Sequence, residues 1–226
     1  MRWFRPLLVF ICATLAWSAD ETLASTLAKM DTVAAGFKGL RADVRQLSHT
    51  AVINEDAVDT GTIAVRRAGS KDLRILVDFR EPNAKKVSMA GSKVLIYYPK
   101  RNEVEEYEVG KASALKDQIM MLAFGSNSRD LMSAYSIKLG GPETVAGQEA
   151  TRIELTPKDK DLLAHFPKIE LWIANQTGLT VQQKLYQKGG DYFLATYTNP
   201  QPATLTEAQV KLDMPKDVHK VKPQGR

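Results

Sequence analysis

The sequence predicts an α+β protein that is mainly β, with one strongly curved antiparallel sheet whose concave apolar face is covered by helices. Three observations predict this fold. After one amphipathic helix near the N-terminus, the apolar period changes from three or four residues to two. The strand-like segments then follow one another too closely for helices to lie between them, which favours antiparallel hairpins. One helical insert, at about residues 111–135, divides the strands into two groups.

The N-terminus has the features of a secretory signal. Two arginines precede the apolar stretch Leu7–Trp17, which is too short to cross a bilayer as a helix. The small residues Ala16 and Ser18 are suited to cleavage after residue 18. We therefore expect residues 1–18 to be a cleaved signal peptide and residues 19–226 to form a single exported domain. An uncleaved N-terminal anchor is the alternative.

The composition limits the classes of function. The 226 residues have a formal net charge of +5 and no block of basic residues, so we expect no nucleic-acid partner. The single cysteine, Cys12, lies in the predicted signal, which leaves the exported chain without disulfides or thiol nucleophiles. His49, His165 and His219 have no metal-ligand spacing, and no hydrolase or phosphate-loop motif is present. We expect no metal, no cofactor and no enzymatic activity.

A helix and six strands are predicted before the insert. The helix covers residues 22–37, where Leu23, Leu27 and Met30 recur at helical spacing. The predicted strands are Leu40–Ile53, Thr60–Arg67, Leu73–Phe79, Lys85–Ala90, Lys93–Tyr98 and Glu103–Val109. Apolar and charged residues alternate in Leu73–Phe79, which indicates a sheet with one covered face. We interpret the acidic residues of the sixth strand as a solvated strand rather than a calcium or catalytic site.

The insert combines helical spacing with adjacent methionines. Asn127 or Ser128 is suited to cap a second short helix within it. The residues that we expect to form a lid over the sheet are Leu115, Ile119, Met120, Leu122, Phe124, Leu131 and Met132. Because methionine adapts to varied apolar ligands, this cover favours ligand binding, while an ordinary core helix is the alternative.

Five further strands are predicted after the insert. They are Thr151–Thr156, Lys168–Ala174, Leu179–Gln187, Tyr192–Thr198 and Leu205–Leu212. Gly140-Gly141-Pro142 is interpreted as a turn, and 161–166 as one helical turn. We expect the polar tail from Pro215 to be frayed.

An exported chain without catalytic motifs, built as a curved sheet with an apolar cover, is predicted to be a container for an apolar ligand. We expect one face of the first strand group to line the cavity. Its residues are Val44, Ile63, Val65, Leu73, Ile75, Val77, Phe79, Val94, Ile96, Tyr98 and Tyr107. A register shift of one residue would replace the whole set.

The order of several segments resembles the LolA-like family of periplasmic outer-membrane lipoprotein carriers. The segments that carry the resemblance are Met30–Thr50 with Phe37, Ala42 and Gln46, then Gly61–Arg67, Leu73–Phe79, Glu81-Pro82, Gly91–Tyr98 and Pro99. With the insert and the later strands, the resemblance covers most of residues 22–218. Two features depart from the family pattern. The family's Arg-Pro pair is Arg67-Ala68 here, and the strand Leu73–Phe79 lacks the family's tryptophan.

The resemblance implies a half-open barrel, roofed by helices, around a hydrophobic cavity. It implies a monomeric carrier that binds the acyl chains of lipoproteins, or a related lipid, and takes them from an inner-membrane ABC transporter to an outer-membrane acceptor. By position, Arg67 would be the arginine that bonds the helical lid and holds it shut, although a surface cation beside Arg66 is the alternative. A different function stays open as the alternative: a sensory or regulatory module that binds lipid or lipoprotein. An enzyme acting on lipid or glycan would need a polar constellation in the cavity, and the sequence shows none.

Overall fold

The computed structural model describes residues 22–69, 72–80, 82–91, 93–108 and 124–221. Within them, the helices are α1 (Leu23–Gly36), α2 (Ser128–Ala134) and α3 (Lys160–His165). The strands are β1 (Gly39–Thr50), β2 (Glu55–Arg67), β3 (Leu73–Phe79), β4 (Lys85–Ala90), β5 (Lys93–Tyr98), β6 (Glu103–Glu108), β7 (Tyr135–Val145), β8 (Gln148–Pro157), β9 (Lys168–Ala174), β10 (Thr180–Tyr186), β11 (Tyr192–Pro202) and β12 (His219–Val221).

All of these strands belong to one curved, open sheet with the order β12-β6-β5-β4-β3-β2-β1-β11-β10-β9-β8-β7. Neighbouring strands are antiparallel, except that β12 is parallel to β6. The pairing of β1 with β11 joins the first strand group to the second. The predicted fold class, a curved antiparallel sheet with an N-terminal helix, is confirmed.

Local sequence signals account for the helices. Thr22 caps α1 because its hydroxyl accepts a hydrogen bond from the Ser25 backbone N–H at 3.1 Å. Asn127 caps α2 in the same way, through the Asp130 N–H at 2.8 Å. The strands β3, β4, β5 and β9 have the predicted bounds.

The predicted turn at Gly140-Gly141-Pro142 is wrong, because these residues lie inside β7. The register of β7 against β8 shifts between Leu139 and Gly141, which marks a bulge. Since β7 is an edge strand, a proline and a bulge are tolerated there.

The predicted strand Leu205–Leu212 is also wrong. This segment forms no strand and contains one 3-10 turn, and it packs on the convex face of the sheet. Its apolar residues alternate with polar ones because they are buried against the sheet and not because they pair with a strand. Leu205 and Val210 pack on Ala64, and Leu212 packs on Tyr97 and Val104.

The expectation of a frayed tail from Pro215 is wrong as far as Val221. Val218 packs in the cluster that contains Tyr97 and Val104. The His219 N–H donates to the Asn102 carbonyl at 2.9 Å, and His219–Val221 form β12. The tail therefore protects the edge of β6, which would otherwise be an unpaired strand.

Two apolar clusters cover the concave face. One lies between the helices and the second strand group and contains Leu27, Met30, Leu131, Tyr135, Ile153, Leu155, Leu162, Ile169, Leu171 and Ile173. The other lies on the first strand group and contains Leu40, Ala42, Val44, Ile63, Val65, Ile75, Val77, Phe79, Phe124 and Tyr197. The helices within the described ranges cover the first cluster, while the second borders a cavity.

The packing of the tail is testable with Val218→Ser. We expect this change to lower the free energy of unfolding by about 1–2 kcal/mol, because it removes apolar burial. Lys216→Ser is the control, since Lys216 is exposed in the same tail. Equal stability of the two variants in urea denaturation would contradict the packed tail.

Candidate functional site

An apolar cavity of about 340 Å³ lies on the concave face, between the first strand group and the strands β10 and β11. It is lined by Val44, Gln46, Ile63, Ile75, Val77, Phe79, Lys85, Val87, Met89, Ile96, Phe124, Gln183, Leu185, Phe193, Ala195 and Tyr197. The volume is at the lower end of the range of about 300–1,000 Å³ for small-ligand pockets. Aliphatic and aromatic side chains form most of its wall, so the cavity suits a hydrocarbon ligand.

Six of the predicted cavity residues line this space: Val44, Ile63, Ile75, Val77, Phe79 and Ile96. They share one face because β2, β3, β4 and β5 pair in register, with Ile63 opposite Val77 and Val87 opposite Ile96. Since side chains alternate along a strand, the pairing places their apolar residues on the concave side together.

The other five predicted residues lie near the cavity without lining it. Val65 and Leu73 belong to the adjoining cluster on β2 and β3. The strand register places Val94, Tyr98 and Tyr107 on the same face, nearer the edge of the sheet.

The sixth strand is less solvated than the acidic pattern predicts. Glu105 is only 9% exposed. Its carboxylate accepts a hydrogen bond from the Tyr107 hydroxyl at 2.8 Å and one from the Tyr98 hydroxyl at 3.4 Å. The prediction of a solvated strand is therefore wrong for this residue, whose charge is held among tyrosine hydroxyls on the concave face.

The predicted lid residues have different environments. Leu115, Ile119, Met120 and Leu122 lie outside the described residues. Phe124 is 3% exposed and packs edge-on against Tyr197, with ring centroids 4.9 Å apart. Leu131 is buried with the helices rather than over the cavity, and Met132 is half exposed.

Tyr197 and Phe124 close one end of the cavity. Burial raises the pKa of the Tyr197 phenol well above its usual value, so the ring is neutral at physiological pH. The two aromatic rings therefore form an uncharged wall for this end.

Arg67 bonds two segments that flank the closed end. Its Nη2 donates to the Gly125 carbonyl at 2.7 Å, and its Nη1 donates to the Ala34 carbonyl of α1 at 3.4 Å. The guanidinium also lies 5.5 Å from the centre of the Phe37 ring. Gly125 has a φ of +80°, and a Cβ at this position would clash with Nη2 of Arg67. The contact therefore requires glycine.

The segment 124–128 is fixed at three points. Phe124 lies in the cavity, Gly125 bonds Arg67, and Ser128 bonds Asp31 of α1. The Asp31 carboxylate accepts from the Ser128 N–H at 2.6 Å and from its hydroxyl at 2.7 Å. Across the described ranges, no carboxylate forms an ion pair with Arg67. Its bonds are to neutral carbonyls, which makes them weaker than a full ion pair.

The other end of the cavity is more exposed and polar. Lys85, the first residue of β4, forms an ion pair with Asp59 at 2.7 Å and lies 5.0 Å from the centre of the Phe79 ring. Asn83 donates to the same carboxylate at 3.2 Å. The register places Phe193 of β11 toward the same end of the strands as Asp59, and it is 36% exposed, whereas Phe124 at the closed end is 3% exposed. This gradient of exposure identifies the Lys85 end as the mouth.

Sequence reasoning missed the second wall of the cavity. Phe193, Ala195 and Tyr197 on β11 face the cavity beside Leu185 of β10. The sequence did contain a signal for a strand with one apolar face, because these residues alternate with Thr196 and Thr198. Their place opposite β1 depends on a strand pairing that the local pattern does not contain.

Two other kinds of site are absent from the described ranges. No three His, Cys, Asp or Glu side chains there are grouped as a metal ion would require. In the same part of the chain, no helix has the length and apolar character needed to span a membrane.

The sequence is similar to one protein family. A family model described as the MucB/RseB N-terminal domain matches residues 76–197. No curated protein matches the chain significantly.

The fold is similar to several solved structures. The crystal structure of MucB is 18% identical, with a TM-score of 0.51 over 84% of this chain and 62% of that one. The chain thus spans less than two thirds of MucB, which is also known in complex with MucA in Pseudomonas aeruginosa. An uncharacterized conserved protein from Thermus thermophilus is 14% identical, with a TM-score of 0.54 over 88% of this chain and 98% of that one. A LolA superfamily protein from Nitrosomonas europaea is 12% identical, with a TM-score of 0.43 over 85% of this chain and 98% of that one.

The contact between Gly125 and Arg67 is testable with Gly125→Ala. We expect a loss of about 2–3 kcal/mol in the free energy of unfolding, because a Cβ adds a steric clash to the strain of positive φ. Gly91→Ala is the matched control, since Gly91 has a φ of +53° and open space around its Cβ position. It should cost only about 1 kcal/mol. Chemical denaturation measures both, and equal losses would be inconsistent with the contact.

Proposed function

Because this chain belongs to the MucB/RseB N-terminal domain family and is LolA-like, we propose that it is a periplasmic carrier of lipoprotein acyl chains. Residues 1–18 would direct its export as a signal peptide that is then cleaved, and the exported protein would act as a monomer. It would take its cargo, a lipoprotein or a related lipid, from an inner-membrane ABC transporter to an outer-membrane acceptor. The observation that carries the proposal is the apolar cavity on the concave face.

The lining of the cavity supports binding over catalysis. Of the lining residues that the structure describes, only Lys85 is charged, and its partner Asp59 lies within ion-pair distance. General acid–base catalysis needs titratable groups within reach of the reacting atoms, and this wall offers hydrocarbon instead. We infer that the chain holds a ligand without changing it.

The energy of chain burial explains why a carrier needs a closing device. Burial of hydrocarbon contributes about 0.8 kcal/mol per methylene, so a chain of about 16 carbons gains on the order of 10 kcal/mol. Several chains bound at that strength would dissociate too slowly for delivery. A carrier therefore needs contacts in the empty form that the ligand must break.

Arg67 is suited to supply such contacts. Its bonds to Gly125 and Ala34 hold the segment 124–128 and α1 together beside Phe124. An acyl chain that displaces Phe124 would have to break them, at a cost of about 1.5–3 kcal/mol for each charge-assisted bond. The Arg67 latch, meaning these two bonds, would thus lower the net affinity to a level that allows release.

A second candidate function follows from the family match. MucB, for which the family is named, forms a complex with MucA. A module that binds lipid or lipoprotein and reports it through a protein partner would use the same cavity. This candidate differs from the carrier in requiring a stoichiometric protein partner.

Native mass spectrometry of the protein purified from its own envelope separates these functions. Co-purified lipid or lipoprotein would support the carrier, and a stoichiometric protein partner would support the sensory module. A protein that is empty and takes up no acyl chain would contradict both.

The latch is testable with Arg67→Leu. We expect a fluorescent palmitoyl probe to leave this variant about tenfold more slowly for acceptor liposomes, because the empty form loses its stabilising bonds. Stopped-flow transfer to the liposomes measures the rate. Arg66→Leu is the matched control, since Arg66 bonds Leu205 and Glu207 on the convex face. Unchanged transfer from Arg67→Leu would remove the latch from the account.

A further inference from the structure

We propose that the cavity takes a single acyl chain that carries an oxyanion, either a phosphate or a carboxylate, and that Lys85 binds this group at the mouth. The inference rests on the proposed function, because it assumes an acyl ligand in the same cavity. Of the two cargoes proposed there, it selects a related lipid with one chain over a lipoprotein, and it adds the chemical class of the head group.

The position of Lys85 is the first observation. Every other lining residue within the described ranges is apolar, aromatic or an uncharged amide. Lys85 lies at the exposed end of the apolar wall formed by Ile75, Val77 and Phe79 of β3. A chain lying along β3 with its methyl end at Phe124 would therefore place its head beside the Lys85 ammonium.

The ion pair of Lys85 is the second observation. Asp59 pairs with the ammonium at 2.7 Å, and the Asp59 side chain is itself only 10% exposed. Asp59 lies on β2, whose residues before Thr60 extend beyond its pairing with β3. The carboxylate therefore occupies the place of an anionic head group, and an entering oxyanion would exchange with it. A neutral head group would gain nothing from that exchange.

The size of the cavity is the third observation. A volume of about 340 Å³ is at the small end for ligand pockets and suits one hydrocarbon chain rather than two or three. Two amides, Gln46 and Gln183, also lie in the wall, and Gln46 is opposite Asp59 in the sheet. These amides make the wall polar beside the mouth. A second acyl chain entering there would have to lie against polar groups.

The test measures calorimetric binding of three ligands with the same palmitoyl chain, each below its micelle concentration. They are palmitate, palmitoyl lysophosphatidic acid and monopalmitoylglycerol, and they carry a carboxylate, a phosphate and a neutral head. Lys85→Met should weaken binding of the anionic ligands about tenfold and leave the neutral ligand unchanged. Asp59→Asn should strengthen anionic binding, because it removes the competing carboxylate. Each ligand should bind with a stoichiometry of one.

Lys86→Met is the matched control. Lys86 is adjacent in sequence, points to the opposite face of β4, and has its own ion pair with Asp78 at 3.3 Å. It should leave the affinity for all three ligands unchanged. Binding of only one of the two anions would identify whether phosphate or carboxylate is the head group, and would support the proposal.

The outcomes separate this inference from the proposed function. Should the wild-type protein bind none of the three ligands, the acyl carrier itself would be contradicted. Should it bind all three equally, with no selective effect of Lys85→Met or Asp59→Asn, only the head-group inference would be overturned. Equal weakening by Lys85→Met and Lys86→Met would also overturn it. Asp59→Asn keeps the test decisive if Lys85→Met is unstable, because its expected effect has the opposite sign.

Discussion

The pairing of β1 with β11 is the constraint on which the cavity depends. It joins strands that are about 150 residues apart in the chain, with Val44 opposite Tyr197 and Gln46 opposite Ala195. Without this pairing, each strand group would be an open ribbon with one exposed apolar face. With it, the two groups form one curved sheet whose concave residues face one another, as a wide twisted sheet requires. The helices cover one part of that face and leave the cavity over the other.

The features that depend on local patterns could be predicted from the sequence. The alternation in Leu73–Phe79 identified both the strand and its buried face, because each residue's environment is set by the period of two. The helices α1 and α2 followed from periodicity and caps. The predicted strand at Leu205–Leu212 was wrong because its apolar residues are buried without forming strand pairs. Their alternation with polar residues reflects packing on the convex face. The second wall of the cavity could not be found locally, because a pairing between distant strands positions it.

A cation lies at each end of the cavity. At the closed end, Arg67 bonds carbonyls of Gly125 and Ala34, and at the mouth Lys85 bonds the Asp59 carboxylate. Lys85 is paired with a carboxylate, since an unpaired charge beside an apolar cavity would be costly. Arg67 is held only by neutral carbonyls, and its buried Nε has no hydrogen-bond partner among the described residues. In our account a ligand breaks the Arg67 bonds at the closed end and replaces Asp59 as the partner of Lys85 at the mouth, while the hydrocarbon wall supplies the affinity. Selectivity and release would thus be determined by polar groups, and binding strength by the apolar lining.

The most direct test of the account is whether an acyl chain occupies the space between the two walls. Ala195 is a small residue in that wall, and Thr196 faces the other side of the same strand. Titration of a fluorescent palmitoyl probe into folded Ala195→Trp and Thr196→Trp proteins would separate the cavity from the surface. The account predicts saturable binding to the wild-type and Thr196→Trp proteins and loss of binding in Ala195→Trp. Equal binding by all three proteins would contradict it.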